Sequence, residues 1–291
     1  MMRLPAFEYV AATTVDEALR ALADAGPDGM LVAGGTDLYP NMKRRQFEPK
    51  MLVGLRAIKD LRGVGGSARD GLTIGACTTL TSVATHPTVA RDYPALATAA
   101  GLVSSPQLRN MSTLGGNVCV DTRCNYYNQT FEWRKAIGFC MKKDGDICLV
   151  APGSDRCWAV SSSDTAPVLW SLGARARLSG PGGERTIPVS ALFKDDGIQY
   201  LAKRPDEILT EIVLPPAEGW RSAYLKLRRR GSFDFPILGV AAADAAAGPA
   251  RPLDNTDLTH PYRKKVTRVY VARALARIAG LDHGPTLEAI A

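Results

Sequence analysis

Leu31-Val32-Ala33-Gly34-Gly35-Thr36-Asp37-Leu38 is a short apolar run that ends in a glycine pair, then a hydroxyl and a carboxylate. Met30 to Ala33 read as a strand. Two glycines at a strand end let backbone N–H groups approach an anion, because no Cβ stands in the way. A diphosphate suits such a loop; a plain tight turn gives the same pattern. Upstream, Thr14-Val15-Asp16-Glu17 is a T-x-x-E capping box. Ala18, Leu19, Leu22 and Ala25 follow at helical spacing, and Gly26-Pro27 closes the helix. Downstream, Met51 to Leu55 read as another strand. The alternation makes a first unit, 1–56, of α/β type.

A middle unit, 57–178, follows. Leu72 to Ala76 read as a strand, and 79–101 as helix broken near His86-Pro87 and Pro94. Thr113-Leu114-Gly115-Gly116-Asn117 is a second glycine pair after a short apolar-polar run flanked by strand-like residues. Two such loops can clamp one diphosphate from two subdomains. No G-x-G-x-x-G occurs, so the dinucleotide-binding Rossmann fingerprint is absent. A third unit, 179–291, contains strands at 185–189, 207–214 and 224–227, and a basic amphipathic helix from Pro261 to Ala279 ending at Gly280. Ala174 to Leu178 read as a strand that leads into the turn at 180–183.

Within the middle unit, 119–160 has no clean period and mixes Cys, Asn, Tyr, Trp, Lys and Asp. A long structureless stretch in a compact domain needs a cause, and bound metal is an adequate one. Five of the chain's six cysteines fall here. Cys124, Cys140, Cys148 and Cys157 are spaced C-x15-C-x7-C-x8-C. Thiolates favour zinc or iron–sulfur clusters. With no C-x-x-C, the set is neither a zinc ribbon nor a bacterial ferredoxin pattern, and composition leaves zinc and cluster both open. Cys77 reads as a small core residue. Cys119 reads as lying on a strand beside the second glycine pair. His86, His260 and His283 form no triad or metal pattern.

The 291 residues carry a net charge of +7, spread along the chain. The dense spots, Lys43-Arg44-Arg45, Arg228-Arg229-Arg230 and Arg263-Lys264-Lys265, read as solvated faces or partner contacts, with no nucleic-acid motif beside them. A zinc-stapled nucleic-acid scaffold is the competing class, and the two glycine loops speak against it. No apolar run is long enough to span a membrane. The N-terminal MMRLPAFEYVAATTVDEAL has no signal-peptide apolar region, so the expected location is the cytoplasm.

LVAGGTDL (31–38), TIGA (73–76), QLRNMSTLGGN (107–117), SSDTAP (162–167), PDEIL (205–209) and YLKLRRR (224–230), in this order, resemble the FAD-binding medium subunits of molybdenum hydroxylases. The resemblance covers residues 1 to about 240. It implies an α/β and α+β fold: a two-part FAD-binding α/β region, the cysteine-rich insert, and a small C-terminal α+β unit. The insert is similar to the one that holds an extra [4Fe–4S] cluster in the 4-hydroxybenzoyl-CoA reductase branch of that family. The implied cluster ligands are Cys124, Cys140, Cys148 and Cys157.

The resemblance also implies the flavin contacts. These are Leu31, Val32, Ala33, Gly34, Gly35, Thr36, Asp37 and Leu38 around the diphosphate, with Thr113, Gly115, Gly116 and Asn117 in the second loop. Val103 and Leu209 would line the flavin, and Asp164 and Lys226 would make polar contacts. No catalytic side chain is expected, because the chemistry belongs to the cofactors. The implied partners are a molybdopterin-binding large subunit and a [2Fe–2S] small subunit in a dimer of heterotrimers, with a ferredoxin-like donor feeding electrons inward for anaerobic aromatic degradation. Against the family pattern, the chain shortens between Ala243 and Pro252, which implies a reduced C-terminal unit. The alternative is an ordinary aromatic or aldehyde/xanthine-type hydroxylase subunit with a structural zinc.

Overall fold

A computed structural model describes residues 3–243 and 260–281. Strand β1 (Glu8–Ala11), helix α1 (Val15–Ala25), β2 (Gly29–Val32), α2 (Leu38–Lys43) and β3 (Met51–Gly54) form the N-terminal unit. Its sheet is parallel, in the order β1-β3-β2. The two-residue period of the strands sorts side chains by face. Leu31 and Val53 join Ala18 in the core beneath α1, while Val32 and Leu52 pack with Met42 of α2 on the other side. The α1 cap differs slightly from the expected box. Thr14 accepts from Glu17 N, but the Glu17 carboxylate reaches back to Thr13.

The middle unit begins with β4 (Val64–Ser67) and β5 (Gly71–Gly75), followed by helices α3 (Leu80–Thr85), α4 (Pro87–Asp92), α5 (Pro94–Leu102) and α6 (Pro106–Arg109). Prolines at 87 and 94 start new helices and so divide the expected helical stretch. Then come α7 (Leu114–Val118), α8 (Phe131–Ala136), α9 (Thr165–Ser171), β6 (Arg175–Gly180), β7 (Gly183–Pro188) and β8 (Ile208–Leu214). The sheet order is β4-β5-β8-β6-β7, antiparallel throughout. Ile74, Leu178 and Ile212 of the sheet share one core with Leu80, Leu96, Val168 and Leu169 of the helices.

This sheet corrects the expected boundary at 178/179. That point lies inside β6, whose ladder bonds run to β7 and β8, so the middle unit continues to Leu214. The remaining C-terminal part is a hairpin of β9 (Ser222–Leu227) and β10 (Leu238–Ala243) with α10 (His260–Ile278) on one face. Leu225, Leu227, Leu238 and Val240 pack there against Tyr270 and Ala274. The shortened stretch between Ala243 and Pro252 lies outside the described residues.

The PDEIL motif has a structural explanation. Arg185 Nε and Nη2 donate to the two Glu207 carboxylate oxygens (2.6 and 2.8 Å), and Arg204 N donates to Oε2 (2.6 Å). These bonds hold the Glu207 carboxyl down at about 2, from an ordinary 4.5. Because the folded value is depressed, the stabilisation is full above about pH 4.5 and is lost as pH falls toward 2. Glu207→Gln should therefore destabilise the protein by about 2 kcal/mol at pH 7. In thermal melts, the gap from the parent should close as pH drops below 4.5.

Candidate flavin and cysteine site

The two glycine loops meet each other. A Cβ on Gly34 would collide with the Met111 carbonyl oxygen, and the Thr36 and Ser112 hydroxyls share a 2.9 Å hydrogen bond. Gly35 has φ +69°, a conformation that favours glycine. Gly115 is buried, and a Cβ there would stand 2.7 Å from that of Ala76. Gly116 differs: its position is exposed, and an added Cβ would meet only Thr113 Oγ1, at 2.9 Å. Three of these glycines are therefore required by the fold itself, and Gly116 alone presents an open face.

The second glycine pair does not end a strand. Thr113 caps the one-turn helix α7 by accepting from Gly116 N (3.1 Å), so both glycines are helical. A hydroxyl two residues before a glycine pair is a cap signal that the apolar-polar alternation masked. Cys119 is accordingly the C-cap of α7 rather than a strand residue. Burial pushes its thiol up to about 11, and does the same to Cys77, which sits in the core beneath α1.

Asn117 leaves α7 and organises the start of α9. Its Oδ1 accepts from Ser163 Oγ (2.9 Å), Thr165 Oγ1 (2.7 Å) and Thr165 N (3.2 Å). Asp164 lies between these two anchor residues. On β9 the period of two turns Tyr224 and Lys226 to the same side, and both reach Asp164, at 2.7 and 2.9 Å. Lys226 also donates to the carbonyls of Leu102 (3.1 Å) and Asp234 (2.8 Å). All three ammonium hydrogens thus have protein acceptors, and Lys226 pins three segments together. Burial pushes Asp164 up and Lys226 down, and each is opposed by the other's charge. Leu209 lies within the main core, with Val103 packed against it.

The cysteine segment is tied to the first glycine loop. Arg123 pairs with Asp37, donates to Ser162 Oγ (3.2 Å) and stacks 3.8 Å from the Phe235 ring centroid. Burial raises the Asp37 carboxyl, opposed by Arg123. Two further anchors fix the segment. Gln46 Nε2 donates to Tyr127 O (2.6 Å), and the buried Arg134 donates to the carbonyls of Arg44 and Arg45. The Lys43-Arg44-Arg45 run is thus a seat for the insert as well as a charged surface. Arg228 of the second basic run is buried too. The side chains of Arg263 and Lys264 lie outside the description.

Apart from α8 and isolated bridges, the described residues of 119–160 are irregular. Even so, Cys124, Cys140, Cys148 and Cys157 are all buried, all unbridged, and all line one cavity of about 250 Å³ including its mouth. Tyr127, Ala159, Met141, Leu149 and Val150 pack around them. Burial pushes the Cys124 thiol up to about 11. Cys157 Sγ accepts from Ala159 N (3.4 Å), and a Cβ on Gly197 would stand 2.7 Å from that sulfur, so the 194–200 loop closes tightly over it. Among the described residues, no three His, Cys, Asp or Glu side chains are placed to hold a single metal ion.

The residue set read from sequence is thus brought into two adjoining places. Leu31 to Leu38, Thr113 to Asn117 and the Asp164–Lys226 pair surround one junction of the N-terminal, middle and C-terminal parts. The four cysteines form a separate cavity beside it. Arg123, Gly197 and Lys142 were missed by sequence reading. Arg123 precedes a cysteine that was singled out, and that adjacency was its only signal.

Residues 5–217 match the family described as the FAD binding domain in molybdopterin dehydrogenase. The carbon monoxide dehydrogenase medium chain of Hydrogenophaga pseudoflava is 32% identical over 249 residues, covering 84% of this chain and 71% of that one. The FAD-binding subunit of the Escherichia coli aldehyde oxidoreductase is 32% identical over 257 residues, covering 85% and 80%. The structure of reconstituted CO dehydrogenase from Oligotropha carboxidovorans superposes with a TM-score of 0.75 at 23% identity, covering 97% of this chain and 100% of the other. The chain belongs to the FAD-binding medium-subunit family of the molybdenum hydroxylases. It is an oxidoreductase subunit whose cofactor is FAD. No helix among the described residues is long and apolar enough to cross a membrane.

Proposed function

We propose that this chain is the electron-entry subunit of a molybdenum enzyme and carries a [4Fe–4S] cluster in addition to FAD. It serves the reductive dehydroxylation of 4-hydroxybenzoyl-CoA to benzoyl-CoA, with electrons drawn from a low-potential donor such as a ferredoxin. Its partners are a molybdopterin-binding large subunit and a [2Fe–2S] small subunit, in a dimer of heterotrimers. One observation carries the reading: four buried cysteines from an irregular segment line one cavity.

The donor set fits a cluster better than zinc. Ligands to one zinc sit about 2.3 Å from it and so crowd together. Among the described residues no three side chains are placed for a single ion, while four cysteines line one cavity. When bound, the two groups supply electron transfer, and the polypeptide supplies placement and electrostatics.

Gly116 gives a diphosphate open access to the α7 backbone, Gly34 lets the two loops close on each other, Gly35 leaves room for the Tyr39 ring, and Gly115 seats α7 against Ala76. Leu31 to Leu38, Thr113 and Asn117 shape that loop pair, with Val103 and Leu209 as its apolar support. Asp164 and Lys226 hold the C-terminal hairpin against α5 and α9. Arg123 and Asp37 fix the distance between the loop pair and the cysteine cavity.

The test is turnover by the anaerobically purified complex. With reduced ferredoxin and 4-hydroxybenzoyl-CoA, benzoyl-CoA and water should form. A complex that instead only oxidises aldehydes or purines, and holds one zinc per chain, would be the hydroxylase alternative.

A further inference from the structure

Lys142 is two residues beyond Cys140, in a segment where a lysine would ordinarily point to solvent. Its side chain is instead only 6% exposed, and it lines the cavity that the four cysteines share. The ammonium donates to Asp121 Oδ1 (2.7 Å), Gly197 O (2.9 Å), Thr122 O (3.2 Å) and Thr122 Oγ1. It also lies 4.6 Å from the centroid of Tyr127 and 5.6 Å from that of Tyr200. This cage fixes one positive charge at a known place, with little water to screen it.

The two charges of the pair are not placed alike. Lys142 lines the cysteine cavity and Asp121 does not. The Asp121 carboxylate also bears on Asp37, on the side of the first glycine loop. The Lys142–Asp121 pair is therefore a dipole with its positive end toward the sulfurs.

We infer that Lys142 is a positioning residue for electron flow, whose buried charge raises the reduction potential of the cluster held by Cys124, Cys140, Cys148 and Cys157; this rests on the cluster reading above. Four thiolates make such a cluster net negative, and reduction adds one more negative charge. A fixed cation beside the sulfurs stabilises the reduced form more than the oxidised form. The effect makes the cluster easier to fill from an external donor. Asp121 has two roles: it holds the ammonium in place, and it limits the size of the effect.

The experiment is an EPR-monitored redox titration of the anaerobically purified complex, with iron and flavin counted in each sample. Lys142→Met leaves the Asp121 carboxylate alone and should make reduction harder. Asp121→Asn leaves the ammonium alone and should make it easier. Each change should move the reduced-to-oxidised ratio at a fixed potential by about tenfold, or ~59 mV for one electron. Lys142→Arg should stay near the parent value.

Both variants break the same ion pair, so a purely structural role would shift the cluster the same way in both. Shifts of the same sign, or none beyond about twofold in iron-replete samples, would overturn the inference. If Lys142→Met fails to hold iron, Asp121→Asn decides alone: an upward shift supports it, and no shift or a downward one overturns it. Zinc in place of iron in the parent complex would overturn the cluster reading and this inference together.

Discussion

Cys148→Ser should empty the cysteine cavity of iron and leave flavin in place. Iron should fall from about four atoms per chain to fewer than about one, with loss of the broad visible absorbance of the cluster. The serine hydroxyl is a hard ligand that stays protonated, whereas iron–sulfur clusters are held by soft thiolates. The segment has little else to hold it. Its buried apolar set is small and consists largely of the cysteines themselves with Tyr127 and Ala159. The emptied segment should therefore be cut by protease between 124 and 157 much faster than the parent. The anchors at Gln46, Arg123 and Arg134 should keep it seated on the N-terminal unit. FAD should remain, because the glycine loops are built from other elements. Cys119→Ser is the control and should keep full iron, since Cys119 caps α7 outside the cavity. Iron lost from Cys119→Ser but retained in Cys148→Ser would reverse the ligand assignment.

Gly116→Val should have the complementary result: iron retained and FAD lost. A Cβ there meets only Thr113 Oγ1, so the fold should absorb the change at the expense of a weakened helix cap, about 1 kcal/mol. Its bulk covers the one open face of the glycine set. Flavin occupancy should drop by at least about tenfold, which needs only ~1.4 kcal/mol of lost binding free energy. Gly34→Ala separates fold from ligand. Its methyl drives into the Met111 carbonyl, so it should lower the melting temperature as well as flavin content, by an overpacking penalty of about 1–3 kcal/mol. Fluorescence of released flavin, iron analysis and a thermal melt on the same three samples read all of this. Unchanged flavin in Gly116→Val would move the diphosphate away from α7.

What the sequence made legible was whatever carried a period or a cap. The helix of α1 and the strands β2, β3, β5, β6, β7 and β8 announce themselves through apolar spacing, Thr14 and the glycines at their ends. Strand β1 was hidden because it is a mostly exposed edge, and β4 because Val64-Gly65-Gly66-Ser67 has almost no apolar content. Both exist because neighbouring strands pair with them. The unit boundary was misplaced for a related reason: which strands share a sheet is a long-range fact, and β8 slots between β5 and β6.

The site residues were legible as types and not as partners. Asp37 and Lys226 were picked out as ligand contacts, yet the structure commits Asp37 to Arg123 and all three Lys226 donors to protein acceptors. Pairings across 62 to 124 residues leave no local trace. Lys142 is the extreme case, since only the folded insert shows that its ammonium is buried. The cysteine spacing was visible throughout, but that the four thiols line one cavity could be seen only in the fold.

The most direct test is the metal and flavin content of the complex purified without oxygen, counted per copy of this chain after subtracting the partners' cofactors. The expected result is one FAD and about four irons, with iron lost specifically in Cys148→Ser. One FAD with one zinc and no iron would contradict the cluster, and with it the inward electron route.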